Sequence, residues 1–238
     1  MRRKDHIALI YFSRTPHAES EHKQWFKEDC SGRANKALAT SLVTQSARTV
    51  RQSGFPIFHY HEGNQTGSTF GEKITNAFAE VFEQGYRAVI AVGNDSPGLE
   101  RTDWDRIAQW LDHGENVLGP STHGGTYLVG LTAATFKKLP FQRLPWQTQG
   151  LFEALFQFCC DGNVRTHTLD QLHDVNSFSD LITLVKSKAL SRAFKRVLLY
   201  ILGRVKVWCS IPETLADPLF NKFTRPLRAP PTFTALPS

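Results

Sequence analysis

Five apolar residues in a row, Ala88 to Val92, lie between Arg87 and Gly93. A run with no polar face needs cover on both sides. That is the condition of a central strand in a parallel sheet with helices on each face. His6 to Phe12 repeats the pattern, and Tyr86 to Val92 is the strongest strand. Pro56 to Tyr60, Asn116 to Leu118, Thr126 to Leu131 and Val164 to Leu169 read as further strands. Helical stretches separate them. Gly32 to Ser53 is closed by Gly54. Thr69-Phe-Gly-Glu72 has capping-box spacing, and Ile74, Ala77, Phe78, Val81 and Phe82 follow at helical intervals. Thr102-Asp-Trp-Asp105 repeats the box before a helix to about His113. Gly150 to Cys160 and a helix capped by Ser177 complete the set. Strands alternating with helices predict an α/β fold, a three-layer α/β/α arrangement around a mostly parallel sheet with right-handed crossovers.

A chain of 238 residues suits one domain with appendages, and its 41% hydrophobic content excludes wholesale disorder. No apolar run reaches the roughly 18 residues of a membrane span. Met1 to Asp5 resembles the charged start of a signal peptide. The apolar stretch behind it, Ile7 to Phe12, is shorter than the roughly 7–15 residues of a signal core, and no small-residue cleavage site follows. It is read as the first strand. Cys30, Cys159, Cys160 and Cys209 form no CxxC pair, so neither a disulfide framework nor a zinc knuckle is indicated. The expected location is a reducing cytoplasm.

The formal net charge of +6 is unevenly placed. Lys186 to Trp208 holds seven basic residues and no acidic one, leaving −1 for everything else. A nucleic-acid groove would spread its cations over the fold, so nucleic acid is not an expected partner. Six of the 12 prolines fall between Pro212 and Pro237. The expected organisation is a core domain over 1–188, then a basic amphipathic helix and a Pro-rich tail over 189–238. Leu190, Phe194, Val197, Ile201, Val205 and Trp208 form one helical stripe. Packing of that stripe on the core is the favoured reading. Leu198, Leu199, Tyr200 and Leu202 make the middle of the helix apolar nearly all round, so a second surface is expected over it: the Pro-rich tail, another copy meeting it through 186–208, or an anionic membrane, the last adding peripheral membrane association to a cytoplasmic protein.

Ligands of such sheets bind beyond the carboxyl ends of the strands. Four segments occupy those places: Ser13 to Pro16, Gly93 to Leu99, Gly119 to Gly125 and His173 to Asn176. Asp95 follows the central strand, where a carboxylate can hold Mg²⁺ or Mn²⁺ against nucleotide phosphates; an Asx-turn is the structural alternative. His123-Gly124-Gly125 can bring backbone N–H groups to an anion or a sugar, or simply turn the chain between two strands. His59-Tyr60-His61 reads as a surface pair of histidines rather than a metal site. The chain has no GxSxG elbow, no GxGxxG and no Walker loop, which weighs against serine-hydrolase, NAD and ordinary ATPase chemistry.

Taken in order, these loops resemble a bacterial glycosyltransferase family with a GT-A, nucleotide-diphospho-sugar transferase fold, related to the phospholactate and molybdenum-cofactor guanylyltransferases. Arg14-Thr15-Pro16 is similar to the family's Arg-x-Pro loop. Gln65-Thr-Gly67-Ser-Thr69-Phe-Gly71-Glu72-Lys73 resembles its Gln-x-Gly-x-Asp-Leu-Gly-Glu-Arg stretch, and Gly93-Asn94-Asp95-Ser96-Pro97-Gly98-Leu99 its Gly-x-Asp-x-Pro-x-Leu motif. Gly119 to Leu128 echoes Gly-Pro-x-x-Asp-Gly-Gly-Tyr-Tyr-Leu. Pro145-Trp146-Gln-Thr148 and Asp174 to Leu181 are similar to its last two motifs. The likeness covers roughly residues 6–186.

The resemblance implies a metal-dependent transferase with a nucleotide-activated donor and glycosyl transfer as its reaction. Nucleotide or substrate contacts would fall on Arg14, Lys23, Gln65, Gly67, Glu72, Lys73, Gly124, Gly125 and Thr126, with the base and ribose of a nucleotide sugar near Arg14 and the Gln65 to Lys73 loop and the acceptor over His123 to Thr126. Mg²⁺ or Mn²⁺ would sit on Asp95, with His123 as a second ligand or as the candidate catalytic group. The departures are specific. Where the family has a Gly and then Lys-Thr-Arg for the phosphates, this chain has Glu19 and His22-Lys23-Gln24, so that only Lys23 offers a substitute, one residue out of register. The family's Asp before Gly-Gly is His123, and the acidic residue of the helix-entry loop is Thr69. These changes keep two other functions open: a catalytically silent GT-A scaffold that binds a nucleotide or a protein partner, and a nucleotidyltransferase of the same fold.

Overall fold

The computed structural model describes residues 3–27, 32–138, 140–188 and 190–208. Its strands are β1 (Ile7–Phe12), β2 (Ile57–Tyr60), β3 (Ala88–Val92), β4 (Asn116–Pro120), β5 (Thr126–Thr132) and β6 (Thr166–Thr168). Its α-helices are α1 (Pro16–His22), α2 (Arg33–Gln52), α3 (Phe70–Glu83), α4 (Trp104–Asp112), α5 (Ala133–Lys138), α6 (Leu151–Asp161), α7 (Phe178–Lys186) and α8 (Arg192–Trp208). The six strands form one sheet in the order β2-β1-β3-β5-β4-β6. β1 lies parallel to β2 and β3, and β4 parallel to β6. β5 runs antiparallel to both neighbours. The five residues from Ser121 to Gly125 that join β4 to β5 suffice for a hairpin but not for a parallel crossover. The mostly parallel α/β sheet read from the sequence is the observed one.

Every residue of β3 is buried, as its apolar run requires. Alternate side chains enter two cores. Ile90 and Val92 join Leu9, Tyr11, Val50, Ile107 and Leu111 beneath α2 and α4. Val89 and Ala91 join Ile10, Ile74, Phe78, Leu131 and Leu155 beneath α3 and α6. A third core lies outside α2, where Leu38 and Leu42 meet Trp25, Val175, Leu181, Phe194, Leu198 and Ile201. α2 therefore has the sheet on one side and α7 and α8 on the other.

Several expected features shift. The edge strand expected over 164–169 is reduced to Thr166–Thr168, because one flank has no partner strand. Asp103, not Thr102, caps α4, accepting the Arg106 N–H at 3.0 Å. The continuous stretch 186–208 divides into the end of α7 and a separate α8. Within α8, Leu198 is fully buried and Val197 is exposed, so the packed stripe passes one residue beyond the expected one. Cys30, Cys209 and the Pro-rich tail from Pro212 lie outside the described residues. Among the described residues no helix is long and apolar enough to cross a membrane.

Neighbouring leucines test the packing of α8. Leu198→Ala should cost about 2–5 kcal/mol, the range for emptying a core site, whereas Leu199→Ala, which is 49% exposed, should change stability by less than about 0.5 kcal/mol. Urea denaturation with unchanged m-values reads the difference directly.

Candidate functional site

The loops after β1, β3 and β4 converge on one cleft of about 780 Å³ at the carboxyl edge of the sheet. Arg14, Asp95 and His123 all line it, as the strand-end rule leads one to expect. Lys23, Gln65, Lys73, Gly125 and Thr126 line it as well. Gly67, Glu72 and Gly124 do not, and each has a local task. Gly67 adopts φ +122°, and a side chain there would meet Glu72 Cβ at 2.7 Å. Glu72 spends one carboxylate oxygen on the N–H groups of Ser68 and Thr69, closing the capping box of α3. Gly124 adopts φ +76°, its N–H donates to Ser121 O at 3.2 Å, and a Cβ would run into the Gln149 carbonyl. The ordinary tight turn is therefore what the Gly124 backbone forms.

The floor of the cleft is an ion-pair chain. α1 begins at Pro16, capped by Thr15, and brings Glu19 to 1% exposure. A carboxylate so placed needs counter-charge. Arg14 Nη1 approaches its Oε2 at 3.5 Å, and Lys23 Nζ its Oε1 at 3.3 Å. The same ammonium donates to Asp95 Oδ2 at 3.2 Å and to the Val175 carbonyl at 3.5 Å. Burial alone would pull the Lys23 pKa down, but Asp95 and Glu19 outweigh it and the net shift is upward. Val175 in turn gives its N–H to Asp95 O at 2.9 Å and takes the Trp25 indole N–H at 2.9 Å. Thus the loop after β6 is tied to the loop after β3.

A second cluster surrounds His123. Its Nδ1–H donates to Asp174 Oδ1 at 2.7 Å, and its Nε2 lies 3.5 Å from Asp180 Oδ1. Asp174 also accepts from Thr122 Oγ1 at 3.1 Å and from Asn176 Nδ2 at 2.7 Å. The hydrogen bond to Asp174 raises the His123 pKa above the usual histidine value; partial burial opposes it, and the charges of Asp174, Asp180 and Asp95 add to it. Both ring nitrogens thus face carboxylates, an arrangement that favours imidazolium over the neutral metal ligand. His59 and His61 have ring centroids 5.3 Å apart, and His59 Nε2 is 2.9 Å from Ser13 Oγ. Burial lowers the His59 pKa.

A divalent cation has one matching group here. Only Oδ2 of Asp95 has a hydrogen-bond or ion-pair partner among the described residues, leaving Oδ1 available. No group of three His, Cys, Asp or Glu among the described residues could hold a metal ion. Mg²⁺ commonly takes one or two carboxylates and completes its shell with substrate phosphates and water. Asp95 fits that donor set only together with a ligand's phosphates; His123 does not fit it.

Part of the lining is aromatic, a grouping that spacing in the sequence does not show. Phe12, Phe70 and Trp146 line the cleft with ring centroids 5.4 Å and 5.5 Å apart in sequence, an aromatic surface suited to a planar base. Asn94 Nδ2 and Ser96 Oγ, flanking Asp95, are buried without a hydrogen-bond partner among the described residues. Glu19 carried no signal except as a departure from the family's glycine.

Fold and cleft together define the class: an α/β protein with the nucleotide-diphospho-sugar transferase fold and a charged strand-end cleft. It resembles in structure a protein of Desulfovibrio desulfuricans G20 described as a "putative nucleotide-diphospho-sugar transferase", with a TM-score of 0.69, 16% identity, and coverage of 86% of this chain and 98% of that one. A family described as "uncharacterized protein conserved in bacteria", DUF2064, matches residues 32–148. Rv0371c of Mycobacterium tuberculosis H37Rv aligns with a TM-score of 0.49 and 13% identity over 77% of this chain and 100% of that one. A manganese complex of the same mycobacterial protein aligns at 0.40, with 13% identity over 76% of this chain and 99% of that one. No curated protein matches the chain in sequence.

The His123–Asp174 pair has a defined pH signature. A histidine whose pKa is raised on folding stabilises the fold fully below its unfolded value, and that contribution is lost as pH rises through the folded value. The imidazole of His123 should therefore titrate above the ordinary 6.5 by NMR. Asp174→Asn should bring the midpoint down, and the stability gap between parent and variant should be wider near about pH 6 than near about pH 9.

Proposed function

We propose that this protein is a transferase acting on a nucleotide-activated donor, with glycosyl transfer as its reaction. The convergence of Arg14, Lys23, Lys73 and Asp95 with three aromatic side chains in one strand-end cleft carries the reading. The base would lie against Phe12, Phe70 and Trp146, with Gln65 able to hydrogen-bond its edge or the ribose. Arg14, Lys23 and Lys73 would face the diphosphate. Every residue lining the cleft lies within 1–188, the proposed nucleotide-binding unit.

Asp95, together with the donor's phosphates, would hold Mg²⁺ or Mn²⁺, which supplies positive charge against the leaving diphosphate. During transfer, the bond from the sugar's anomeric carbon to the phosphate oxygen breaks and a bond to the acceptor oxygen forms. The acceptor's proton passes to base or solvent, and the nucleoside diphosphate departs with the electron pair. Asp95 and Glu19 both favour the charged form of Lys23, so that it would meet the diphosphate as a cation. Gly125 and Thr126 mark the acceptor side.

A second reading, a silent GT-A scaffold that binds a nucleotide or a partner, draws on a different observation. Charges on the floor already neutralise one another, and both nitrogens of His123 are engaged. Nucleotidyl transfer on the same fold would use the same cleft. Binding with slow donor hydrolysis favours a transferase; binding without turnover over a broad donor panel favours the scaffold.

A thermal-shift screen of nucleotides and nucleotide sugars, with and without Mn²⁺, tests the first reading. A specific ligand at about 100-fold its Kd should add about 2.7 kcal/mol of stability. Asp95→Ala should remove the metal-dependent part of the shift; the unliganded melting temperature should fall as well, because the largely buried Lys23 loses one of its two carboxylate partners. Mn²⁺ alone should give little shift in the parent, since Lys23 already compensates Asp95. Equal metal-dependent shifts in parent and variant would exclude Asp95 as the metal-side residue.

A further inference from the structure

α8 has two apolar surfaces, and the third core accounts for only one of them. Leu190, Phe194, Leu198 and Ile201 are buried against α2 and α7. On the far side Leu199 is 49% exposed, Tyr200 47% and Val197 39%. At 100° per residue, Arg192, Arg196, Leu199 and Tyr200 share one outward arc of the helix, with Lys195 at its margin. Arg192, Lys195 and Arg196 take part in no ion pair among the described residues.

The helix itself gains nothing from these cations. All three fall in its first two turns, at the positive end of the helix dipole, where acidic side chains are the stabilising choice and none is present. The Ser191 N–H is instead satisfied by the Glu100 carboxylate. Unpaired cations set against the dipole, with leucine and tyrosine between them, suit a surface that is negatively charged outside and apolar beneath.

We propose that the outward face of α8 docks on an anionic phospholipid surface, with Arg192, Lys195 and Arg196 at the headgroups and Leu199 and Tyr200 entering the interface. Three features select this occupant. A second copy meeting the same face about a two-fold axis would set this cationic segment against itself. A nucleic-acid backbone would match the cations but leave Leu199 without a partner. Tyrosine, apolar in body and polar at its tip, is at home between headgroup and acyl chain. The docking is independent of the cleft's chemistry, since no α8 residue lines the cleft.

The test uses the full chain and sedimentation with vesicles of phosphatidylcholine alone or mixed with phosphatidylglycerol, at low and high salt. Binding should require the anionic lipid and weaken with salt. Reversing both charges, Arg192→Glu with Arg196→Glu, should lower partitioning by at least about tenfold, since each cation near the surface contributes roughly a fivefold factor. A second variant, Leu199→Ser with Tyr200→Ser, should weaken binding even at low salt. Both pairs lie on the exposed side of the helix and should leave the melting temperature close to that of the parent. No binding to anionic vesicles at low salt, equal binding to both lipid mixtures, or undiminished binding by the charge-reversed variant would overturn the proposal. A concentration-dependent dimer in sedimentation velocity without vesicle binding would also overturn it, in favour of self-association.

Discussion

The buried carboxylate of Glu19 governs the geometry of the cleft. An acid at 1% exposure cannot keep its charge without partners, so Arg14 and Lys23 are drawn in beside it. Lys23 then has little freedom and holds Asp95 by the carboxylate oxygen that faces it. The backbone of the Asp95 loop is pinned separately by Val175, which the Trp25 indole also anchors. One buried charge thus organises segments from β1, α1, β3 and the loop after β6. A glycine at that place, as in the resembling family, would have no such effect: its cleft would have to fix the same loops by other means or by the ligand. The two architectures differ in what they require. With Glu19 and Lys23 present, the charges of Arg14, Glu19, Lys23 and Asp95 compensate one another within the protein.

Much of the fold was legible because burial leaves a mark on sequence. Ala88 to Val92 could only be an interior strand, and Ile74, Phe78 and Val81 could only be one face of a helix. What escaped notice was short or polar. α1 has seven residues, and its one buried side chain is an acid, so no apolar period announces it. α5 and the 3-10 helices Pro97–Arg101 and Phe141–Arg143 are equally brief. The direction of β5 leaves no trace in periodicity, which is the same for parallel and antiparallel strands. Only the shortness of the connection before it decides the matter.

The site was legible by position and opaque by partnership. The strand-end rule located Arg14, Asp95 and His123 without any knowledge of which side chains touch. It could not show that His123 would find Asp174 some 51 residues along the chain, because only the fold brings β4 and the loop after β6 together. Nor could it distinguish glycines that face a ligand from glycines that fit a turn. Gly124 and Gly125 are adjacent and look alike; one is wedged against the Gln149 carbonyl while the other opens on the cleft. Spacing reports where a residue is along the chain, whereas function depends on what stands opposite.

The same distinction explains the slip in α8. A stripe chosen by helical spacing alone can pass through Val197 or Leu198 equally well, since the middle of the helix is apolar nearly all round. The contact with α2 breaks the tie, taking Leu198 inward because Phe194 and Ile201 already point that way. Val197, Leu199 and Tyr200 are then left outside not by accident of composition but by geometry: a helix can offer only one arc to its own core. An all-round apolar segment with cations at its exposed positions therefore answers to two surfaces at once. The first is the contact with α2 and α7; the second stands open among the described residues.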